Sequence, residues 1–548
     1  MSNRIAAALS EPLTAGNILS ALASFLICYM TLRAATRPAP SNNVPKVGYN
    51  GPFSSLVNMV TNYFYYHKWA KDGYQKYDKQ GRSFITPGSW GCPDEFVVSR
   101  SQAKWMIDLP DHIVSDCAAL NQYLFCEFNF LHRKFATSGQ HARVLRRYLL
   151  RNLESLIPDI QTFAQRGVDR VLGMDTENWK TINVWNTWMS IVPPISNLVL
   201  VGRPLCDNEE FLHSMVSFAE HCSMNILLLN LIPLWLQPVV ARLLTIPNWW
   251  CWRTSTKYTL PLIRERLHAM KQKVAGDPTF QDWIEPQDFI TWSIQLATME
   301  KDSSELDPIM ISKRLLPLEF ASFHTTILTG HSILLDLVSS DPSCGYIDAL
   351  REESARVLAG EGGQWTRNGL SKLYRLDSAM RESQRISSIA TTIIHRKVVA
   401  EHGIRNPTED WHIPRGTIVT LSMYGIQHDQ DIHKNPQVYD AFRYSKPREV
   451  YEAQPDEAKS PEETAKMNRL GMVATSDQHL AFGYGRHACP GRYFATDELK
   501  LIMSHMLLNY DFRPLAERPK TGWFSNIVTA EKEIRSFGTN LGGKHSIE

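Results

Sequence analysis

Cys489 stands in the stretch Phe482-Gly-Tyr-Gly-Arg-His-Ala-Cys-Pro-Gly491, which continues into Arg492-Tyr-Phe-Ala and a helical pattern. Three glycines and a proline around one cysteine describe a tight loop that can lie flat against a planar ligand, where side chains would clash. A cysteine just ahead of a Pro-Gly helix start is also close to backbone N–H groups and the positive end of the helix dipole, which favours thiolate over thiol. A lone cysteine is usually structural, and this loop argues for the other use.

Two further segments carry residues of chemical interest. In Leu373-Tyr-Arg-Leu-Asp-Ser-Ala-Met-Arg-Glu-Ser-Gln-Arg385, the three- and four-residue steps between Leu373, Leu376 and Met380 predict an amphipathic helix with Glu382 and Arg385 on one face. Such a pair is ordinarily a solvated salt bridge. Leu318-Glu-Phe-Ala-Ser-Phe-His-Thr-Thr326 lies in a nearly uncharged helical run, so Ser322, His324, Thr325 and Thr326 need partners in a buried setting. Hydroxyls bonding back to the preceding turn are the plain explanation.

Taken together, these segments resemble the haem-thiolate monooxygenases, the cytochrome P-450 superfamily, whose cysteine loop reads F-x-x-G-x-R-x-C-x-G. Phe482, Gly485, Cys489 and Gly491 match, His487 stands where the family usually has Arg, and Arg486 precedes it. The order Arg-His-Ala-Cys-Pro-Gly-Arg resembles fungal microsomal members of secondary metabolism. The resemblance implies haem b as cofactor, Cys489 as axial ligand of its iron, and Phe482, Gly485, Arg486, His487 and Gly491 as haem-contacting residues. It implies that Glu382, Arg385 and the Arg443 of Asp440-Ala-Phe-Arg443-Tyr lock the core that supports the haem, with a bidentate geometry that Lys could not reproduce. The family's central helix carries A-G-x-[D/E]-T-[T/S]. Ala321, Thr325 and Thr326 align with it, Ser322 replaces the Gly and His324 the acid, so Thr325 inherits a proton-relay role with His324 beside it.

Composition sets the outer bounds. The 548 residues hold 58 Lys+Arg against 56 Asp+Glu, a formal charge of +2 that gives no reason to expect a nucleic-acid partner. With 43% hydrophobic and 21% charged residues the chain is globular rather than disordered. Nine scattered cysteines, an odd number with no CxxC pair, argue for a reducing compartment.

Pro12 to Leu32 is free of charge and long enough to span a bilayer core as a helix. A cleaved signal peptide is the competing reading, but the run exceeds a typical apolar signal region. Arg33 and Arg37 follow the run and only Arg4 precedes it, which orients the body to the cytosol. The expected organisation is a lumenal tail at 1–11, a transmembrane anchor at 12–32, a Pro-rich hinge at 33–50 and a haem-thiolate monooxygenase domain at 51–548. The fold class expected is mainly α with a small β region, the cytochrome P-450 fold behind one N-terminal transmembrane helix in the endoplasmic reticulum membrane.

Within the body, 83–86 and 95–98 read as a hairpin, about 101–400 as mostly helical, the chain beyond as strands and loops, Lys446–Lys466 as a solvated polar loop, and Arg492–Asn509 as a last helix. Ile226–Leu244, with Pro233 and Pro238 and then Trp249, Trp250 and Trp252, reads as a broken helix pair touching the membrane interface, or as plain core. The function implied is insertion of one oxygen atom from dioxygen into a lipophilic substrate, by analogy a terpenoid or related metabolite. Electrons come from NADPH through a separate reductase, because no dinucleotide-binding motif is present. Arg486, Arg492 and Lys500 offer a positive docking face for that reductase. The alternative functions are a non-oxygenating rearrangement or ring closure on the same fold, to which His324 lends weight, and a non-catalytic haem sensor.

Overall fold

Ten helices and a small sheet frame the site, and each follows from a legible local pattern. The helices are α1 (Ser54–Lys76), α2 (Asp116–Leu124), α3 (Gln140–Leu172), α4 (Val184–Leu200), α5 (Glu209–Leu229), α6 (Gln237–Leu244), α7 (Ile246–Ala275), α8 (Pro308–Val338), α9 (Tyr374–Ile386) and α10 (Arg492–Asn509). The strands are β1 (Phe84–Thr86), β2 (Glu95–Val97), β3 (Val114–Ser115), β4 (Thr392–Val398) and β5 (Ile418–Ser422), in the spatial order β1-β2-β5-β4-β3. The computed structural model describes residues 43–529 except 176–177 and 233–234, the backbone of 538–541, and the isolated positions Gly16, Ser20, Ser24, Ile27 and Cys28.

The 31-residue α8 is the longest element after α3 and the one around which the others pack. Asp307 caps its first turn by accepting from the Ile309 N–H, and Pro308 occupies the position where a missing N–H costs nothing. At 1.5 Å per residue it is about 46 Å long, enough to cross the whole body. α4 lies directly against it. Gly330 permits that approach, because a Cβ there would strike the ring of the buried Trp188.

The hairpin expected at 83–98 forms, with Ile85 opposite Phe96. β2 then pairs in parallel with β5, and β5 antiparallel with β4, where the register breaks between Ile393 and Arg396. The last helix spans Arg492–Asn509 as expected.

Several expectations need correction. Val44 and Val47, assigned to the hinge at 33–50, are buried, and the Val47 N–H donates to the Ile85 carbonyl, so the chain is already part of the body there. Residues 33–42 of that hinge and the anchor at 12–32 lie outside the described residues, the isolated positions apart, and no helix among the described residues is long and apolar enough to cross a membrane. The loop expected at Lys446–Lys466 contains the short helices Ser445–Glu452 and Pro461–Asn468, and its Arg448 turns inward to Asp377 at 2.9 Å. Strand β4 begins before residue 400. The region Ile226–Leu244 is indeed broken, α5 ending at Leu229 and α6 starting at Gln237, and it is not plain core: Leu243 is 63% and Trp250 61% exposed.

α9 is amphipathic as expected, but its polar face is not solvated: every residue from Leu376 to Arg385 is buried. Polar side chains tolerate that because they neutralise one another. The fully buried Glu382 receives Arg385 in bidentate fashion, Nε at 2.8 Å and Nη2 at 2.7 Å, and Arg443 Nε at 3.0 Å. Spare guanidinium donors go to carbonyls, Arg385 Nη1 to Gln427 (2.8 Å) and Pro436 (2.7 Å), and Arg443 Nη1 to Lys434 (2.6 Å). Further along α9, Asp377 is held by Lys500 of α10 at 2.7 Å, by Arg448 and by the Met472 N–H.

Removing one partner of a buried ion pair strands the other, at about 3–5 kcal/mol. Glu382→Ala is therefore expected to lower the unfolding free energy by that amount in a urea titration, and Arg385→Lys to lower it as well because an ammonium cannot bridge both oxygens. A loss below about 1 kcal/mol for Glu382→Ala, the range of a surface pair, would refute the assignment.

Candidate active site

The loop ahead of α10 owes its shape to two glycines in left-handed conformation, Gly483 (φ 72°) and Gly485 (φ 78°). A Cβ on Gly485 would overlap Ile107. The loop closes on itself where the Cys489 N–H donates to the Phe482 carbonyl at 2.8 Å, and Arg492 Nη1 donates to the Cys489 carbonyl at 2.9 Å. Cys489 is thereby held at the foot of α10. Burial pushes its thiol up, against the lowering influence of the Gly491 and Arg492 backbone N–H groups and the Arg492 charge. The helix start acts in the expected direction, but burial outweighs it. A coordinated metal ion would supply the missing charge and deprotonate the thiol outright.

Cys489 opens on a cavity of about 540 Å³, within the range of about 300–1,000 Å³ usual for ligand and cofactor sites. Phe482 and Gly483 line it from the cysteine loop, and Ala321, Ser322, Thr325 and Thr326 from α8. The Thr325 hydroxyl donates back to the Ala321 carbonyl at 2.7 Å, which leaves its oxygen as a hydrogen-bond acceptor. His324 is turned elsewhere: it does not line the cavity, and its ring lies 6.0 Å from that of Phe320.

The two basic candidates in the loop also part company. Arg486 does not line the cavity. It reaches the Leu109 carbonyl, Asp111 at 2.8 Å and the His487 ring at 3.1 Å. His487 does line it, with Nε2 2.8 Å from Asp111 and Nδ1 2.8 Å from Asp116, the latter a close contact rather than an aligned hydrogen bond. Burial would raise the Asp116 carboxyl, but His487 and the charge of Arg396 hold it well below the usual carboxylate range. Gly485 and Gly491 shape the loop, and of these two only Gly491 meets the cavity. Glu382, Arg385 and Arg443 stay behind the wall, while their neighbours Ser383 and Gln384 form part of it. Lys500, expected on a surface docking face, is buried on Asp377, and Arg492 is only part-exposed.

Sequence reasoning missed the contribution of β4. The irregular register there, with Ile394 at φ 63°, lets four successive residues, Ile393 to Arg396, line the cavity where a regular strand would alternate. Arg396 is the one Arg or Lys among the described lining residues. The available signal was the broken in-out alternation of Thr392-Ile-Ile-His-Arg-Lys-Val398.

These residues fit a haem. The cavity brings a thiol and the hydroxyl face of a long helix to one space with mainly apolar walls, and Arg396 provides a guanidinium suited to the carboxylates of the porphyrin.

Comparison with known proteins bears on the same point. A family model described as Cytochrome P450 matches residues 126–535. The chain is 30% identical over 522 residues to the cytochrome P450 monooxygenase okaG of Penicillium ochrochloron, spanning 93% of this chain and 95% of that one. It is 30% identical over 465 residues to the cytochrome P450 monooxygenase gloP of Glarea lozoyensis (82% and 81%) and 28% identical over 531 residues to polB of Polytolypa hystricis (95% and 97%). A match across most of the chain, a mainly helical body with a small sheet, and a cysteine loop facing a long helix across a cavity make this chain a member of the cytochrome P450 family and a monooxygenase.

Proposed function

We propose that the protein inserts one oxygen atom of dioxygen into a lipophilic substrate, a terpenoid or related secondary metabolite, on the cytosolic side of the endoplasmic reticulum membrane, with electrons from NADPH delivered by a separate reductase. The family implies a haem, dioxygen, a redox partner and a small-molecule substrate. Haem b with Cys489 as the ligand of its iron is the finer reading, and the observation that carries it is that, among the described residues, Cys489 is the one cysteine lining the cavity that Thr325 also lines. When bound, the haem supplies the redox chemistry that activates dioxygen.

The chain's own residues then have distinct tasks. Cys489 would hold the iron as a thiolate, Arg396 would pair with a haem carboxylate, and Phe482, which lines the cavity from the same loop as Cys489, would meet the ring. Thr325, its proton already committed to Ala321, holds a water by accepting its hydrogen and so keeps a proton carrier in the cavity. The apolar side chains of the walls exclude other water and favour a hydrocarbon substrate. The rearrangement alternative drew its weight from His324, and the position of that ring outside the lining removes the observation that favoured it.

Access from the membrane is supported by a second apolar surface. Trp235, Val239, Leu243, Trp249 and Trp250 are all exposed around the α5–α7 region, and the Tyr63 hydroxyl, donating to the Asn230 carbonyl at 2.9 Å, brings the exposed Phe64 of α1 to the same end.

Cys489→Ala is expected to abolish the red-shifted Soret band of the reduced carbon monoxide complex, and retention of the band would make another residue the ligand. Thr325→Ala is expected to divert NADPH into hydrogen peroxide, while His324→Ala stays near the parent; product and peroxide per NADPH measure both, and the reverse order would put the histidine in the mechanism. Removal of residues 1–36 is expected to leave the protein partly membrane-bound, and adding Trp249→Ser with Trp250→Ser to release it into the supernatant on flotation. A singly truncated protein that is already fully soluble would mean that the tryptophans do not touch lipid.

A further inference from the structure

Behind the cavity wall, the contact between α4 and α8 holds polar side chains that the site above does not use. Ser196 of α4 and Ser322 of α8 both line the cavity, and neither Oγ has a hydrogen-bond partner among the described residues. Behind them lies the fully buried Glu319. Asn197 Nδ2 donates to Glu319 Oε2 at 3.1 Å and to the Pro193 carbonyl at 3.1 Å, while Asn197 Oδ1 and Glu319 Oε1 have no partner among the described residues. An unpartnered carboxyl oxygen in such a place is where a neutral acid carries its proton. Glu319, Ser322 and Thr326 are spaced three and four apart, so they form one row along α8 that leads from the buried acid to the cavity lining.

We propose that Glu319 is the internal acid of the site and passes a proton to the cavity through the Ser322 hydroxyl. The inference rests on the monooxygenase reading above, because reduction of dioxygen consumes protons. The lining itself offers no carboxylic acid: Asp116 is its one carboxyl among the described residues, and His487 and Arg396 keep it ionised. Neither Glu319 Oε1 nor Ser322 Oγ has a partner among the described residues, so the transfer runs through a water held between them: the Glu319 O–H bond breaks as a bond forms to that water's oxygen, the water gives one of its own protons to the Ser322 oxygen, and Ser322 gives its proton to a cavity water. Between turnovers hydronium from bulk solvent returns a proton to the carboxylate through the same waters. One proton moves inward and no electrons are transferred.

Burial supports the protonated form by raising Glu319 to about 8, with the Asn197 hydrogen bond the one opposing influence and no charged side chain of α4, α8 or their neighbours among the described residues acting on it. The folded protein therefore keeps this proton up to about pH 8, whereas the unfolded chain releases it near its ordinary value of 4.5. The sign is fixed by that order: stability falls as pH rises through this window, since the unfolded state binds fewer protons there.

The test uses the full-length, haem-loaded protein with Glu319→Gln, Ser322→Ala and the double substitution. Gln keeps the shape and the bond from Asn197 but cannot donate as an acid. The first readout is unfolding free energy against pH, where Glu319→Gln is expected to remove the decline between about 4.5 and about 8. The second is NADPH consumed per dioxygen with a reductase and no added organic substrate. Two electrons per dioxygen mark release of hydrogen peroxide, and four mark release of water. Each single variant is expected to give several-fold more peroxide per NADPH than the parent below pH 8, with the double variant no worse than either and the parent approaching them above it. A flattened stability profile with unchanged peroxide in both single variants would reduce Glu319 to a structural acid and overturn the proposal. An unchanged stability profile would overturn it too, by showing that the group is not protonated. A parent that consumes no NADPH would overturn the monooxygenase reading and this inference together, whereas failure confined to the variants overturns the inference alone.

Discussion

A carboxylate cut off from water must be surrounded by cations, and the position of the whole site follows from how Glu382 meets that requirement. Its two guanidiniums do not merely neutralise it. Through Arg385 and Arg443 the pair gathers the carbonyls of Gln427, Lys434 and Pro436, so a long irregular stretch is fastened to α9. The same helix carries Asp377, whose bond to Lys500 fixes α10, and α10 carries Cys489 at its foot. Ser383 and Gln384, next to Glu382, form part of the cavity wall. Ion pairs on one buried helix thus set the distance between the cysteine loop and α8. The arrangement has little tolerance for partial replacement, since any one missing charge leaves another uncompensated in a dry interior.

Dryness also governs the chemistry. Burial raises the Cys489 thiol, which the helix start alone does not overcome, so a metal ion held there would have to supply the charge that replaces the proton. Asp116 runs the other way because His487 and Arg396 surround it. The site keeps one acidic group charged by pairing it and favours the neutral form of the thiol by burying it. It arms its central helix with hydroxyls, which carry no charge to desolvate.

Local motifs in the chain revealed the cysteine loop and put Glu382 and Arg385 on one helix face, because each depends on residues close in sequence or on a spacing that a helix enforces, whereas the third partner Arg443 and the role of Thr325 came only with the family resemblance. The long central helix and the last helix were equally legible from their apolar spacing. What escaped was set by contacts between distant segments. Arg396 enters the cavity only because the register of β4 breaks, a consequence of how β5 pairs with it. Lys500 looked like a surface cation and is buried, because its partner Asp377 lies on another helix. The segment at 446–466 looked solvated for the same reason: nothing local announces that Arg448 turns inward to that carboxylate. His324 stood beside Thr325 in sequence, yet one helical step of about 100° carries its ring away from the cavity that Thr325 lines.

The central claim is that the Cys489 sulfur is the protein's ligand to a haem iron in the cavity beneath α8. X-ray absorption at the iron edge of the ferric full-length protein tests this most directly, because sulfur scatters differently from nitrogen and oxygen. The account predicts one sulfur in the first coordination shell beside the four porphyrin nitrogens. A shell of nitrogen and oxygen alone in freshly prepared, folded protein would contradict it.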